Sequence, residues 1–326
     1  MTPIVYILPG ERFVFTFAVE WRRLFVFYFH QLINSSMRRH ISLFSLTVLS
    51  LLLSGCIVSN VSRHCEPTTQ GAVLIGGKLY TSAWIQHSAE YKALCQQAYN
   101  IATDWVLEAT RSPLAPGAKP RAVVTDIDET ILDNTPNAVH LALRGKEFTS
   151  ESWNKWCELA EADTLMGALD FFCLAQDRGV EIFYVSNRDP ESRAATLANL
   201  QKFGFPQADE EHLLLREQTS DKSSRREKIL SKYNILLLLG DNLGDFDHIF
   251  DSLNAKDRKE AVQKFKSEFG KKFIVLPNPN YGTWERVLLH EASSNAEKEH
   301  LLMHQQHLLM HQEHLLIHSL HSQSGE

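Results

Sequence analysis

Five short aliphatic runs, separated by longer amphipathic stretches, set the strongest limit on what this chain can fold into. Residues 122–125, 181–185, 213–215, 235–239 and 273–276 are, apart from Glu181 at the start of one run and Thr125 at the end of another, apolar in succession rather than in alternation. A strand with one wet face alternates; a continuous run needs apolar cover on both faces, as strands of a parallel sheet have. Helical stretches fall between the runs. One is signed by Asp189 as N-cap, Pro190 in its first turn and Gly204 as its stop. This alternation predicts an α/β fold built on a doubly wound parallel sheet. Ligands of such sheets sit at the carboxyl ends of the strands. Asp126 and Ser186 follow their runs directly, and Asp241 follows its run after Gly240.

The whole chain supports a packed core. Of 326 residues, 44% are apolar and 22% charged, which suits a globular protein. A formal charge of -6 argues against a general nucleic-acid binder, which carries a basic excess. None of the five cysteines, Cys56, Cys65, Cys95, Cys157 and Cys173, forms a C-x-x-C pair, so no zinc knuckle or thioredoxin motif is present. Apart from Cys56, they read as buried free thiols slightly better than as disulfides, whose pairing the sequence leaves open.

A second beginning lies inside the chain. Met37, Arg38 and Arg39 precede a short apolar run over residues 41–53, which ends in Leu53-Ser54-Gly55-Cys56. A basic start, a run too short to span a bilayer and small residues before the cut describe a secretory signal. The Leu-Ser-Gly-Cys ending resembles the bacterial lipoprotein box, in which the Cys becomes the lipidated first residue. Residues 1–36 are then expected to be an over-extended start, 37–56 the lipoprotein signal peptide and 57–77 a tether. At the other end, residues 291–326 form a His-rich tail with near-copies at a seven-residue period. Its pairs His300/His304, His307/His311 and His314/His318 have the i, i+4 spacing that could clasp a metal. A solvated low-complexity extension explains the tract better.

Between tether and first strand, residues 82–111 read as one helix. Trp84, Tyr91, Cys95, Ala98, Ala102 and Trp105 recur on one face. The proline- and glycine-bearing stretch 112–120 ends it.

The chemistry gathers after the strands. Asp126-Ile127-Asp128-Glu129-Thr130 puts two carboxylates in one turn, where they repel and invite a cation or a shared proton. One can attack phosphorus while the other hands a proton to the leaving oxygen. Ser186-Asn187-Arg188 opens a helix, where a hydroxyl and exposed N–H groups can hold phosphoryl oxygens. Lys222, again at a helix start, offers a point charge for phosphate. Asp241, within Gly240-Asp241-Asn242-Leu243-Gly244-Asp245-Phe246, can complete an all-oxygen Mg²⁺ site. Each signal is weak alone, since loop aspartates, turn serines and surface lysines are common. Their order along the chain is hard to obtain by chance.

That order resembles the four motifs of the haloacid dehalogenase superfamily. More narrowly, the string from Asp126 to Asn134, paired with that from Gly240 to Phe246, is similar to the class C bacterial acid phosphatases. These are outer-membrane lipoprotein phosphatases, some acting as 5′-nucleotidases. The resemblance runs from about residue 79 to residue 285. It implies a phosphatase domain over 78–290 with a haloacid dehalogenase-like Rossmannoid core and a small helical cap, its elements at about 81–111 and 135–163. It implies Asp126 as nucleophile and Mg²⁺ ligand, and Asp128 as general acid and base with its backbone carbonyl on the metal. Asp241 would ligate Mg²⁺, with Asp245 behind it. Thr130, by steadying the loop, Ser186, Asn187 and Lys222 would make up the phosphoryl-binding set. Tyr281 and Trp284 would form one aromatic wall against a substrate's base or ring. Asn137 stands where the family usually has Tyr, and His140 where another aromatic is expected, so nucleotide preference is in question while phosphatase chemistry is not.

The sequence thus points to a lipid-anchored, Mg²⁺-dependent acid phosphatase of the bacterial cell envelope, outer-membrane bound and facing periplasm or surface. Its partner is a small phosphomonoester rather than nucleic acid, it touches the membrane only through its lipid, and a homo-oligomer is left open. A binding lipoprotein without catalysis is the competing class. The intact Asp126/Asp128 pair speaks against it. Transfer of the phosphoryl group to an alcohol rather than water is not separable by sequence.

Overall fold

The structure, a computed structural model, describes residues 72–304. The expected signal peptide with Cys56, the residues before it, residues 57–71 of the tether and the tail beyond residue 304 lie outside the described residues.

Five strands form one parallel sheet: β1 (Arg121–Thr125), β4 (Glu181–Val185), β5 (Leu213–Leu214), β6 (Asn234–Gly240) and β7 (Phe273–Val275). Their order across the sheet is β5-β4-β1-β6-β7, so the chain winds outwards from β1 to β4 and β5, then returns to β6 and β7 on the other flank. The reversal falls at β1, which places a crevice at its carboxyl end. A separate antiparallel pair, β2 (Leu132–Asp133) with β3 (Asp163–Thr164), leaves the loop after β1.

The continuous apolar runs have their physical reason in two cores. Successive strand residues point to opposite faces. Val123, Ile182, Tyr184, Leu237, Leu239 and Ile274 face one core, with helices α2 (Ala89–Ala109), α5 (Ala168–Asp177) and α6 (Arg193–Phe203). Ala122, Val124, Phe183, Val185, Leu238 and Phe273 face the other, with α7 (Ser223–Lys232), α8 (Ala255–Lys264) and the turn bearing Phe246 and Phe250. This is the doubly wound α/β sheet expected.

Several expectations are corrected. The single helix over 82–111 is two, because Ser88 ends α1 (Ala72–His87) and its hydroxyl accepts from Tyr91 N at 3.1 Å, starting α2 afresh. Helix α1 also takes up the last residues assigned to the tether. Trp105 is 39% exposed, with its indole N–H on Gly270 O at 2.8 Å; Tyr99 and Val106 hold the buried face instead. Helix α2 packs on α5 and on β6 and β7, as a layer of the core rather than a cap. Asp189 caps nothing: its carboxylate is taken by Arg216 and by Asn154 at 3.1 Å, and a 3₁₀ turn at Pro190–Ser192 precedes α6. Gly204 does end α6, in the left-handed conformation at φ 79.

Two features tie the periphery to the crevice. Helices α3 (Thr135–Ala142) and α4 (Ser150–Glu158) follow β2, and α4 is started by a capping box between Thr149 and Ser152. Helix α1 lies on α3 and straps the segment before α9 (Thr283–Leu289). Lys78 binds Asn280 O and Glu285 at 2.8 Å, and Asn280 donates to buried Ser82 at 3.2 Å. Leu74 N donates to Glu299 at 3.3 Å.

Phe172 is fully buried and its ring meets Tyr99, Phe171, Tyr184 and Phe205, joining three layers of the first core. Phe172→Ala is expected to destabilise by about 3–5 kcal/mol. Urea denaturation checks this through a lower midpoint at unchanged slope.

Candidate functional site

The loops after β1, β4 and β6 meet because these are adjacent central strands. Thr125 pairs with Tyr184 on one side and with Leu239 on the other. Asp126 N extends the ladder by donating to Leu239 O at 2.9 Å, which sets Asp126 beside Gly240 and Asp241. Gly240 has to be glycine: a Cβ there would collide with the Asp245 side chain.

Three carboxylates converge. Oxygens of Asp126, Asp241 and Asp245 lie within 4.8 Å of one another. The Lys222 ammonium bridges two of them, binding Asp126 Oδ1 and Asp245 Oδ1, the latter at 2.6 Å. Asn278 donates to Asp241 Oδ2 at 2.7 Å, and Asn242 N to Asp245 Oδ2 at 3.0 Å. Burial pushes the Asp126 carboxyl up to about 7, with Lys222 opposing and the charges of Asp245 and Asp128 adding to the rise. Asp241 is held well above the usual range by burial, then by Asp245 and Asp126. Burial works to lower Lys222, but Asp126 and Asp245 outweigh it and raise it. So much negative charge around one ammonium, on an all-oxygen donor set, fits a hard divalent cation. The structure therefore brings Asp245 into the carboxylate group, where the sequence reading set it behind.

The Asp128 side chain turns the other way. Arg188, 1% exposed, grips it in a fork: Nη2 reaches Oδ1 at 2.7 Å and Nε reaches the two oxygens at 3.0 and 3.2 Å. Asn134 Nδ2 adds a bond to Oδ1 at 2.9 Å, and Ser186 Oγ stands 3.5 Å from Oδ2. The turn that separates the two aspartates is tight, and Glu129 passes through it at φ 56. Glu129 is buried, accepts from Asn134 N at 2.8 Å, and burial with the charges of Asp128 and Asp241 holds its carboxyl well above normal.

The remaining expected residues fall as follows. Thr130 is buried, 3.5 Å from Asp241 Oδ1 through its hydroxyl, while its carbonyl accepts from Tyr99 at 2.6 Å. Ser186 is fully buried and its hydroxyl accepts from Arg188 N at 3.1 Å. The Asn187 side chain points to Ser220 O at 2.9 Å and to Arg225 at 2.7 Å. Tyr281 is partly exposed and its carbonyl accepts from the Trp284 indole at 3.1 Å; Trp284 is 41% exposed. Asn137 is buried in α3. Cys95 and Cys157 are buried free thiols, pushed by burial up to about 11 and about 12, whereas Cys173, expected to be buried, is a free thiol at the surface.

Arg188 and Asn134 were missed by the sequence reading. Asn134 accepts from the Trp156 indole at 2.8 Å, and the Arg188 guanidinium lies 5.8 Å from the Trp153 ring centre, so α4 is wired to Asp128 through both. The one signal was position: Arg188 closes the Ser-Asn-Arg turn, and Asn134 closes the string that begins at Asp126.

Residues 70–284 match the family model described as HAD superfamily, subfamily IIIB (acid phosphatase). The crystal structure of the class C acid phosphatase from Bacillus anthracis with tungstate bound is similar at 38% identity and TM-score 0.66, covering 71% of this chain and 96% of that one. A second structure of the same enzyme gives 39% and 0.65 with the same coverage. Among curated proteins, a stem 28 kDa glycoprotein of Glycine max is 27% identical over 49% of this chain and 62% of its own length. Acid phosphatase 1 of Solanum lycopersicum is 28% identical over 37% of this chain and 50% of its own. The chain thus spans little more than half the length of the curated relatives it matches.

The raised carboxyls carry a pH consequence. Without a cation, folded Asp126 holds a proton that the unfolded chain has released, so its contribution to stability falls as pH rises from about 4 towards about 7. A divalent cation has to displace that proton below about pH 7 and finds the carboxylate free above it. At about 100 times its Kd the ion is worth ~2.7 kcal/mol, or roughly 5–10 °C at this size. Thermal melts with and without Mg²⁺ are expected to show most of that gain at about pH 7.5 and little at about pH 5. Asp241→Asn is expected to flatten the difference.

Proposed function

The chain belongs to subfamily IIIB of the HAD superfamily, the acid phosphatases, and on that footing we propose that it hydrolyses phosphomonoesters through a phospho-aspartate on Asp126, with Mg²⁺ held by Asp126, Asp241 and Asp245. The observation that carries this reading is the split of the two loop aspartates: Asp126 joins the cation-seeking carboxylates, and Asp128 joins a guanidinium. A site that only bound an anion would need neither arrangement. Tungstate, a tetrahedral oxyanion, is bound in one of the Bacillus anthracis structures, and that is the shape this site would have to hold.

In the first step an Asp126 carboxylate oxygen forms a bond to phosphorus as the ester P–O bond breaks. Lys222 and the Ser186–Asn187 turn receive the phosphoryl oxygens. A bound Mg²⁺ would supply positive charge against the phosphoryl oxygens and the attacking carboxylate. Asp128 gives the leaving oxygen its proton. Its Oδ1 is already filled by Arg188 and Asn134, so Oδ2, with only Arg188 Nε at 3.2 Å and Ser186 Oγ at 3.5 Å, is the oxygen that carries that proton. In the second step the same Oδ2 takes a proton from water, whose oxygen forms the new bond to phosphorus as the bond to Asp126 breaks. Inorganic phosphate leaves and the enzyme is restored. The exposed Trp284 beside Tyr281 offers a face on which a substrate ring or base could stack.

We also propose that the protein is a lipoprotein of the bacterial envelope, anchored through Cys56. Arg38, Arg39, the apolar run and Leu-Ser-Gly-Cys support this, and they are features of sequence alone.

Phosphate release from p-nitrophenyl phosphate and from a set of 5′-nucleotides by the full chain is expected with Mg²⁺ and to be lost in EDTA. Asp126→Asn should lower kcat by at least about 10³-fold. In single-turnover release of the alcohol, Asp128→Ala should slow an alkyl phosphate about 10²–10⁴-fold and p-nitrophenyl phosphate far less, because nitrophenolate leaves without a proton. Steady-state turnover of both should fall, because the same residue activates the water. No turnover from folded, Mg²⁺-loaded protein would sink the phosphatase reading. Expressed in a bacterium fed radiolabelled palmitate, the full chain should carry label and Cys56→Ser should not.

A further inference from the structure

Three cations stand within one turn at the start of α7. Lys222 is its N-cap, and Arg225 and Arg226 follow at the i+3 and i+4 positions, on the same side of the helix. All three are buried, at 4%, 1% and 7% exposure. Like charges packed this closely repel, and burial strips them of water, so the arrangement needs a compensating purpose. Lys222 has carboxylates. The two arginines have none within salt-bridge distance among the described residues; their partners are neutral acceptors.

Those acceptors belong to two different loops. Arg225 donates to Ser186 O and to Asn187 Oδ1, each at 2.7 Å, and to Asp221 O at 3.2 Å. It therefore ties the turn after β4 to the start of α7. Arg226 donates to Gly244 O at 3.1 Å and Asp245 O at 3.0 Å, and to Ser223 Oγ at 3.1 Å. It ties the turn after β6 to the same helix. Burial pulls both guanidiniums below the usual arginine value, a sign that neutral acceptors leave their charge partly uncompensated.

We propose that Arg225 and Arg226 are positioning residues that divide the site: Arg225 sets the Ser186–Asn187 turn for the phosphoryl anion, and Arg226 sets the Asp245 side of the cation site, with Lys222 between them. This rests on the reading of that site as one for phosphate and Mg²⁺. The uncompensated charge of the pair has a counter-ion in the incoming phosphoryl group. Lysine in place of either arginine keeps the charge but loses the fork, so it cannot hold two acceptors on one loop in a fixed geometry.

The test measures binding without turnover on the full chain, by calorimetric titration of Mg²⁺ and, in saturating Mg²⁺, of inorganic phosphate. Arg225→Lys is expected to weaken phosphate about tenfold and leave the Mg²⁺ Kd within about twofold. Arg226→Lys is expected to do the reverse. If either lysine variant fails to fold in circular dichroism, Asn187→Ala and Ser223→Ala probe the same division from the acceptor side. Asn187→Ala should weaken phosphate alone, and Ser223→Ala should weaken Mg²⁺ alone by about threefold. Folded variants with unchanged constants, variants that weaken both ligands together, or a wild-type protein that binds neither ligand would overturn the proposal. Wild-type protein that binds both ligands in the divided manner but turns nothing over would leave it standing and remove the phosphatase reading instead.

Discussion

The buried ammonium of Lys222 is the contact on which the rest of the site depends. It sits between Asp126 and Asp245, carboxylates from two different strand ends, with Asp241 alongside. An isolated charge in that setting would be costly, and three carboxylates without it would drive one another to the protonated state. With it, Asp126 and Asp245 share one cation, and its charge opposes the rise of the Asp126 and Asp241 carboxyls. Removing Lys222 would leave the carboxylates repelling each other in a place that water reaches poorly, so its loss would be felt in folding.

The sheet was legible because its runs are continuous. Side chains alternate between two cores, so past their polar first residues Arg121, Glu181 and Asn234 the strands β1, β4 and β6 are apolar almost to their ends, and the first charged or hydroxyl side chains beyond them are the site itself. Asp126, Ser186 and Asp241 stood out for that reason. What was not legible depended on contacts between segments far apart in the chain. Nothing near Asp189 announces that Arg216 and Asn154 will claim its carboxylate and leave the next helix uncapped. Trp105 fits the apolar stripe of its helix by spacing, yet Tyr99 and Val106 fill the core first and Trp105 settles on Gly270. The break at Ser88 was written in the sequence, since serine ahead of an acidic first turn is a start signal, but continuity of the apolar stripe masked it.

Arg188 shows the same limit at the centre of the chemistry. By sequence it is one more cation after a strand. In the fold it is among the most deeply buried side chains, and it orders Asp128 while Trp153 and Asn134 order it. The short helices after β2 thereby gain a direct line to Asp128: Trp156 to Asn134, Asn134 to Asp128. Any shift of α4 would therefore be passed to Asp128 through two hydrogen bonds.

Helix α1 belongs to this account through the far side of the site. Its residues Lys78 and Ser82 hold Asn280, whose N–H donates to Asn278 Oδ1 at 2.8 Å, and Asn278 in turn holds Asp241. The chain ahead of residue 72 therefore enters the fold at the outer end of a series of bonds that finishes on one of the three converging carboxylates. In mechanical terms the helix is a splice between the start of the described chain and that loop. A pull on its first turn is shared among the Asn278–Asn280 loop, α3 and the chain into α2.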